Sequence, residues 1–374
     1  MKIIHVVLGK ANPNRMNGVN KVANQLATTM TKMGRDIELW GIANTLKHDY
    51  PSRNFKTVLF QQSSKKWSLD PALVQAIHQV KNDTVMHFHG SFLPEFFLMS
   101  RLLNRRQIPY VYTPHGALTE GAMQKSSLKK KLYFKWIESS IVKNALKVQL
   151  LGQGEADHLN TLINTENTCL IPNGQELPKG GPWKKQKPQR RDALVFGFCG
   201  RLDQYHKGLD NLISGFKQYL SKGYQGTLEL IGDGKDRVIL EKLTNALGLQ
   251  HSVVFHGALF GDAKFRVLAD FDVFMHPSRM EGFPTAVLEA AAMGKPCITS
   301  DATNINPYIK TWKAGIPITD SNPENVSTAM ATALEYHQNG TLHWTGENAK
   351  SMVKEAFTWE NIANQLIEVY EGKR

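Results

Sequence analysis

Cysteine, long apolar runs and acidic charge are all scarce in this chain. Its three cysteines, Cys169, Cys199 and Cys297, are odd in number, far apart and in no metal-ligand spacing. That excludes a disulfide framework and points to a reducing compartment. No stretch approaches the ~18 consecutive apolar residues of a membrane span. The apolar run over residues 1–8 is too short for a signal peptide, so a cytoplasmic protein not integral to a membrane is expected. Zinc-finger spacing, a helix-turn-helix and an RNA-binding aromatic signature are missing, which removes nucleic acid from the expected partners. The loop after the first apolar run carries only Gly9 and Gly18 where a dinucleotide site needs G-x-G-x-x-G, so no nicotinamide cofactor is expected. With 45 lysines and arginines against 33 aspartates and glutamates, the net charge is +12. Such an excess attracts a polyanion, either a phosphorylated small molecule or an anionic membrane surface.

What is present is a globular α/β pattern. At 374 residues and 41% hydrophobic composition, two domains are expected. Residues 2–8, 36–42, 84–89, 109–113, 147–151 and 168–172 read as strands, with helices over 19–33 and 94–106 between them. Residues 179–191 hold six basic residues, no acid and several glycine or proline breakers, which marks an interdomain linker. Strands at 194–199, 228–231, 253–255 and 272–276 then open a second domain. The expected division is 1–178, a linker over 179–192, a second domain over 193–356 and a terminal helix over 357–374, with a cleft between the domains.

The most informative stretch is 274–294. Pro277 stops a buried strand, and Pro284-Thr285 opens an alanine-rich helix that Gly294 closes. Backbone N–H groups at Gly282, Phe283 and Thr285 then point past the carboxyl end of a strand with the helix dipole behind them, a place for a phosphate. Glu281 lies before this helix and Glu289 inside it. An ionised carboxylate accepts several hydrogen bonds and donates none, which suits Glu289 to the paired hydroxyls of a ribose. Arg201 and Lys207 share one short loop after the 194–199 strand and offer a fork-shaped donor and a point charge for a diphosphate. Asp270-Phe271-Asp272 has the form of a metal-binding D-x-D and reads here as a helix-to-strand connection; no metal is expected.

In the first half, Gly18 stands at a helix entrance where N–H groups approach a phosphate or sugar. His115 sits in a loop beyond a strand end, where α/β proteins place their chemistry. His87 and His89 fall on one strand face, a pattern compatible with a metal site including His115 and also with a structural role. Asn173-Gly174 reads as a turn, with Asn173 lining the cleft. Residues 124–144 read as one basic helix: Lys131, Lys135 and Lys143 lie on one side, Ile137, Ile141 and Ala145 on the other, and Tyr133, Phe134 and Trp136 supply interfacial aromatics. That face suits an anionic membrane surface or is simply a solvated lysine face.

Together, Thr113-Pro114-His115-Gly116, Gly200-Arg201-Leu202 through Lys207-Gly208, and Glu281 through Glu289 resemble the family 4 retaining glycosyltransferases of GT-B fold (glycosyl transferases group 1). The resemblance implies two doubly wound Rossmann-like domains facing across a cleft, with the C-terminal helix crossing back to the first. It further implies a nucleoside-diphosphate sugar as donor, no cofactor, and a saccharide or lipid-linked acceptor of the kind used in bacterial surface polysaccharides. Arg201 and Lys207 would clamp the diphosphate, Glu281 and His115 the sugar ring, and Glu289 the ribose. Many members carry Gly-Gly where this chain has Asn17-Gly18. A glycosidase also uses two carboxylates but needs no diphosphate clamp. A nucleotide-sugar 2-epimerase of the same fold and a non-catalytic basic membrane-surface protein are the rival readings.

Overall fold

The computed structural model describes residues 1–12, 18–48, 50, 52–65, 67–124, 127–176, 183, 192–281 and 283–373. Seven strands, β1 (Lys2–Leu8), β2 (Asp36–Ala43), β3 (Lys56–Gln61), β4 (Thr84–His89), β5 (Tyr110–Thr113), β6 (Lys147–Leu150) and β7 (Thr168–Leu170), form a sheet in the order β3-β2-β1-β4-β5-β6-β7. Six more, β8 (Ala193–Cys199), β9 (Gln225–Ile231), β10 (Val253–Gly257), β11 (Val273–His276), β12 (Cys297–Ser300) and β13 (Gly315–Ile318), form a second in the order β10-β9-β8-β11-β12-β13. All of their pairings are parallel. Helices cover both faces of each sheet, so the central strands are apolar on both sides; in β1 the stretch Ile3 to Val7 is buried throughout. The expected pair of doubly wound α/β domains is therefore what the chain forms.

The chain divides into two compact units, Met1–Gly174 with Trp359–Arg374, and Gln175–Thr358. Gln175, inside the expected first domain, donates its N–H to Phe357 O at 2.6 Å and pairs with Thr358, so it belongs to the second unit. Asn173-Gly174 is not a turn; the backbone runs on without one. A Cβ on Gly174 would lie 2.5 Å from the Trp359 ring, so glycine is required there by close approach. Of the expected linker, Trp183 and Asp192 lie within the described residues.

The 124–144 segment is not one helix. The helix Ser127–Tyr133 passes into a π-helical turn, Phe134–Glu138, and then into the helix Ser139–Asn144. A π turn inserts an extra residue and so shifts every later side chain around the axis, which a 3.6-residue period does not anticipate. Phe134 lies in the core at 3% exposure rather than at an interface, whereas Lys131, Lys135, Lys143 and Trp136 face outward as expected. All three cysteines are free thiols. Among the described residues no helix is long and apolar enough to cross a membrane.

In the first unit, the helix Trp359–Tyr370 packs on the helix Gly18–Lys32. Ile362, Leu366 and Tyr370, spaced for one helix face, are all buried there. Each of the two aliphatic side chains contributes about 1.5–3 kcal/mol on removal from water. Tyr370 also brings a hydroxyl to His87 Nδ1 at 2.6 Å. Tyr370→Phe removes that donor and leaves a buried nitrogen unsatisfied, so the unfolding free energy measured in urea is expected to fall by about 1–3 kcal/mol.

Candidate active site

In each sheet the strand order reverses once, between β1 and β4 in the first unit and between β8 and β11 in the second. Open parallel sheets bind ligands beyond the carboxyl ends of the strands at this reversal, because the adjoining loops diverge there and leave a crevice. In the second unit Arg201, Lys207 and Glu281 lie on the loops that follow β8 and β11, and Glu289 on the helix after the second of them; in the first unit Gly18 follows β1, whereas His115 and Asn173 follow β5 and β7.

In the second unit, the loop after β8 and the loop after β11 are zipped together. His206 O accepts the N–H groups of Arg279 at 3.0 Å and Met280 at 3.2 Å. The Arg279 guanidinium grips Asp210 through two bonds of 2.7 and 2.9 Å. Gly208, at φ +64, opens the helix Leu209–Ser221, and a Cβ on it would meet Pro277 O at 2.2 Å. Lys207 is thereby delivered to Glu281, and their side chains form a short ion pair. Burial pulls the Lys207 ammonium down to about 8, with the nearby Arg201 charge acting in the same sense. The Glu281 carboxylate also accepts from His276 Nε2 at 3.2 Å, at the end of β11. His276 is 1% exposed, and burial holds its pKa well below the ordinary 6.5.

Arg201 stands largely in solvent, its guanidinium 4.0 Å from Asp203. The helix Thr285–Ala292 begins after Pro284 with no side-chain cap, so its first N–H groups are open to an anion. The Phe283 ring packs on Tyr308 and Phe357, which leaves its backbone N–H as the group available to a ligand. Glu289 Oε1 accepts from Lys264 at 2.7 Å. Gly282 lies outside the described residues. Asp270-Phe271-Asp272 is structural: Asp272 Oδ2 accepts the Val195 N–H at 2.9 Å, and Lys295 donates to Phe271 O at 2.7 Å. Lys264, His276 and Arg279 were not among the expected site residues. Arg279, two residues before Glu281, was the one with a visible signal.

Gly18, His115 and Asn173 belong to the first unit. A Cβ on Gly18 would meet open space and its φ is ordinary, so nothing steric requires glycine there. Asn17 falls outside the described residues. Asn20, absent from the expected list, holds the β1 loop by accepting the Ala11 N–H at 2.6 Å. Asn173 Oδ1 is buried and has no hydrogen-bond partner among the described residues.

His115 has φ +55, a left-handed conformation that costs free energy outside glycine and persists only when its surroundings enforce it. The enforcing group is Glu155, fully buried on the helix Gln153–Leu162. Its carboxyl accepts N–H groups from Leu118 at 3.4 Å and Leu151 at 3.2 Å, and it also meets the Gly116 N–H. Behind His115 lie three buried histidines: His5 from β1, and His87 and His89 from β4, with His5 and His87 in direct register. Their ligating nitrogens come within 4.8 Å of one another, as a metal site requires. The hydrogen bonds account for His87 otherwise. Gln149 Nε2 donates to Ile171 O, Thr113 Oγ1 donates to Gln149 Oε1 and so accepts from His87 Nε2–H, and Tyr370 donates to His87 Nδ1. Both nitrogens of His87 are thus committed.

The order of the two sheets and the cationic loops at one of their reversals define a two-domain α/β protein. Two family models match consecutive stretches, Glycosyltransferase Family 4 over residues 16–177 and Glycosyl transferases group 1 over 181–356. The chain belongs to these GT-B glycosyltransferases. It is 33% identical over 180 residues to an uncharacterized glycosyltransferase of Methanocaldococcus jannaschii, a match covering 48% of this chain and 45% of that one. The chain thus spans about half the length of that relative. It is 25% identical to the O-antigen biosynthesis glycosyltransferase WclY of Escherichia coli, over 77% of this chain and 80% of that one. The crystal structure of Anabaena HepE in complex with UDP superposes with a TM-score of 0.75 at 19% identity, over the whole of both chains.

Burial lowers His5 to about 3 and holds His87 and His89 well below 6.5. A histidine kept neutral in the fold allows full stability above its unfolded pKa of 6.5, and that stability is lost as pH falls toward the folded value. Glu138 and Glu155, raised by burial to about 7, act in the opposite sense: their contribution is full below 4.5 and lost as pH rises through 7. Comparing variants separates the two. Between about pH 7 and 5.5, His87→Gln is expected to lose about 1 kcal/mol less unfolding free energy than the wild type. Urea unfolding at both pH values checks it.

Proposed function

We propose that the protein transfers a sugar, with retention of anomeric configuration, from a nucleoside-diphosphate sugar to a saccharide or lipid-linked acceptor in the synthesis of a cell-surface polysaccharide. The observation that carries this reading is the convergence of Arg201, Lys207 and an uncapped helix N-terminus on the strand-order reversal of the second unit. Charge grows on the diphosphate as the glycosidic bond breaks, and donors already in place stabilise it without reorganising. Lys207 has three N–H donors, so it serves Glu281 and a phosphate oxygen together. Glu281 holds a sugar hydroxyl. Glu289 turns its second oxygen to the ribose while Lys264 holds the first. His115 holds a sugar hydroxyl near the anomeric carbon. These cations neutralise the diphosphate themselves, and no metal or cofactor enters the proposal. The UDP named with HepE and the O-antigen named with WclY support a nucleotide donor and a surface glycan.

The first test incubates the protein, without added metal, with a panel of nucleoside-diphosphate sugars and follows release of the diphosphate. Release from one donor, stimulated by a lipid or saccharide extract, is expected. A donor rearranged without any acceptor would instead identify an epimerase. With the donor known, Lys207→Ala is expected to lower kcat ~100-fold or more, and Glu289→Ala to raise the donor KM with a smaller effect on kcat. Wild-type kinetics in both would remove these assignments.

A membrane-bound acceptor accords with the surface of the first unit. Leu128 and Trp136 are each 71% exposed and Leu132 51% exposed, beside exposed Lys129, Lys131, Lys135 and Lys143. Apolar tips among lysines suit an anionic lipid surface, where each lysine adds about 1 kcal/mol. Vesicles containing anionic lipid are expected to sediment the protein at low salt, and Leu132→Ser with Trp136→Ser to weaken this several-fold. Equal sedimentation of the double variant would count against the surface.

A further inference from the structure

The three inner histidines have no part in the proposal above, yet one of them touches His115. His115 Nε2 lies 3.1 Å from His89 Nδ1, and His89 Nε2 lies 2.9 Å from His5 Nδ1. The rings follow one another at centroid separations of 5.3 and 5.2 Å. His115 Nδ1 has no hydrogen-bond partner among the described residues and, unlike His5 Nε2, is not among their buried unpartnered atoms. The chain therefore runs from a closed end at His5 to an open one at His115.

We infer that His89, backed by His5, is the positioning residue of this site: it holds His115 with Nε2 inward and Nδ1 outward, in one tautomer, and uncharged. This rests on the reading of His115 as a sugar-binding group. The physical reason is the proton count. Each hydrogen bond in the chain carries one proton and each neutral imidazole supplies one, so choosing the tautomer of any ring chooses all three. A proton added to His115 would place a cation beside three buried imidazoles, and burial already lowers His115 to about 4. A neutral ring suits a site where positive charge develops on the sugar, which an imidazolium would oppose. The other titratable groups packed on the chain are His87, Tyr370 from the terminal helix and Glu155 beneath the His115 loop. His87 is committed to Thr113 and Tyr370, and Glu155 to backbone N–H groups, so neither competes for His115 Nε2.

Asparagine places an amide near the Nδ1 position of the histidine it replaces, so His89→Asn keeps a partner for His115 while breaking the link to His5. His89→Phe keeps bulk and removes both bonds. Nitrogen-15 NMR of the full chain with labelled histidine is the first readout, and it needs no substrate. Wild-type His115 is expected to remain neutral and in one tautomer between about pH 5 and 8. In His89→Phe it is expected to show mixed tautomers and to titrate toward the ordinary 6.5. The second readout is kinetic. His89→Phe is expected to lower kcat about 10- to 100-fold with donor KM little changed, and to add an acid limb to the rate profile that His89→Asn largely suppresses. Titration of wild-type His115 near 6.5, an unchanged His115 spectrum in a folded His89→Phe protein, or a stoichiometric metal ion on His5, His87 and His89 would each overturn the inference. If the wild-type spectrum is as expected and no donor is cleaved, the functional reading fails while the positioning of His115 stands.

Discussion

Parallel strand pairing is the constraint on which this architecture depends. Strands that run the same way need crossover helices, which cover both sheet faces and leave the strands almost wholly apolar. Polar side chains buried within the strands must then find partners inside the fold, as His87 and Gln149 do, and only at the reversal of strand order do neighbouring loops separate enough to admit a ligand. The Lys207–Glu281 pair sits on loops beside one such reversal, and His5 and His89 on strands beside the other.

The two units answer the desolvation of polar groups in opposite ways. The second keeps charge and pairs it: Lys207 with Glu281, Lys264 with Glu289, Arg279 with Asp210. Beyond the Glu38 pair with Lys2 and Lys56, the first removes charge: burial keeps His5, His87, His89 and His115 neutral and pushes Glu138 and Glu155 up to about 7. Pairing leaves cations with spare donors for a polyanion, while neutrality leaves rings that distinguish donors from acceptors. A diphosphate calls for the first arrangement and a hydroxyl-rich ring for the second.

Much of the fold was legible in the sequence because these strands are uninterrupted apolar runs; the expected 84–89 strand matches Thr84–His89 in full. Arg201, Lys207 and Glu281 were legible as residues on loops, and Glu289 as a residue inside a helix. Their partners were less so, since Lys207 and Glu281 are 74 positions apart and nothing local in either loop marks the pairing. His5 escaped notice because it lies inside the run Lys-Ile-Ile-His-Val-Val-Leu and reads there as strand filler; only the register of β1 on β4 sets it opposite His87. The π turn at Phe134–Glu138 was hidden for a different reason, since a period of 3.6 residues presumes the regularity that the turn breaks.

Tyr370 and His87 share a hydrogen bond across 283 positions of sequence. Translation runs from one end to the other, so the first sheet emerges from the ribosome long before the helix that completes it. Until Trp359–Tyr370 appears, the face bearing Ile3, Val7 and Leu39 has the helix Gly18–Lys32 but lacks the rest of its cover, and His87 lacks a donor. The second unit, whose residues lie wholly between these segments, is synthesised in that interval. A nascent chain of this protein therefore keeps part of that apolar face uncovered for as long as its second half takes to make.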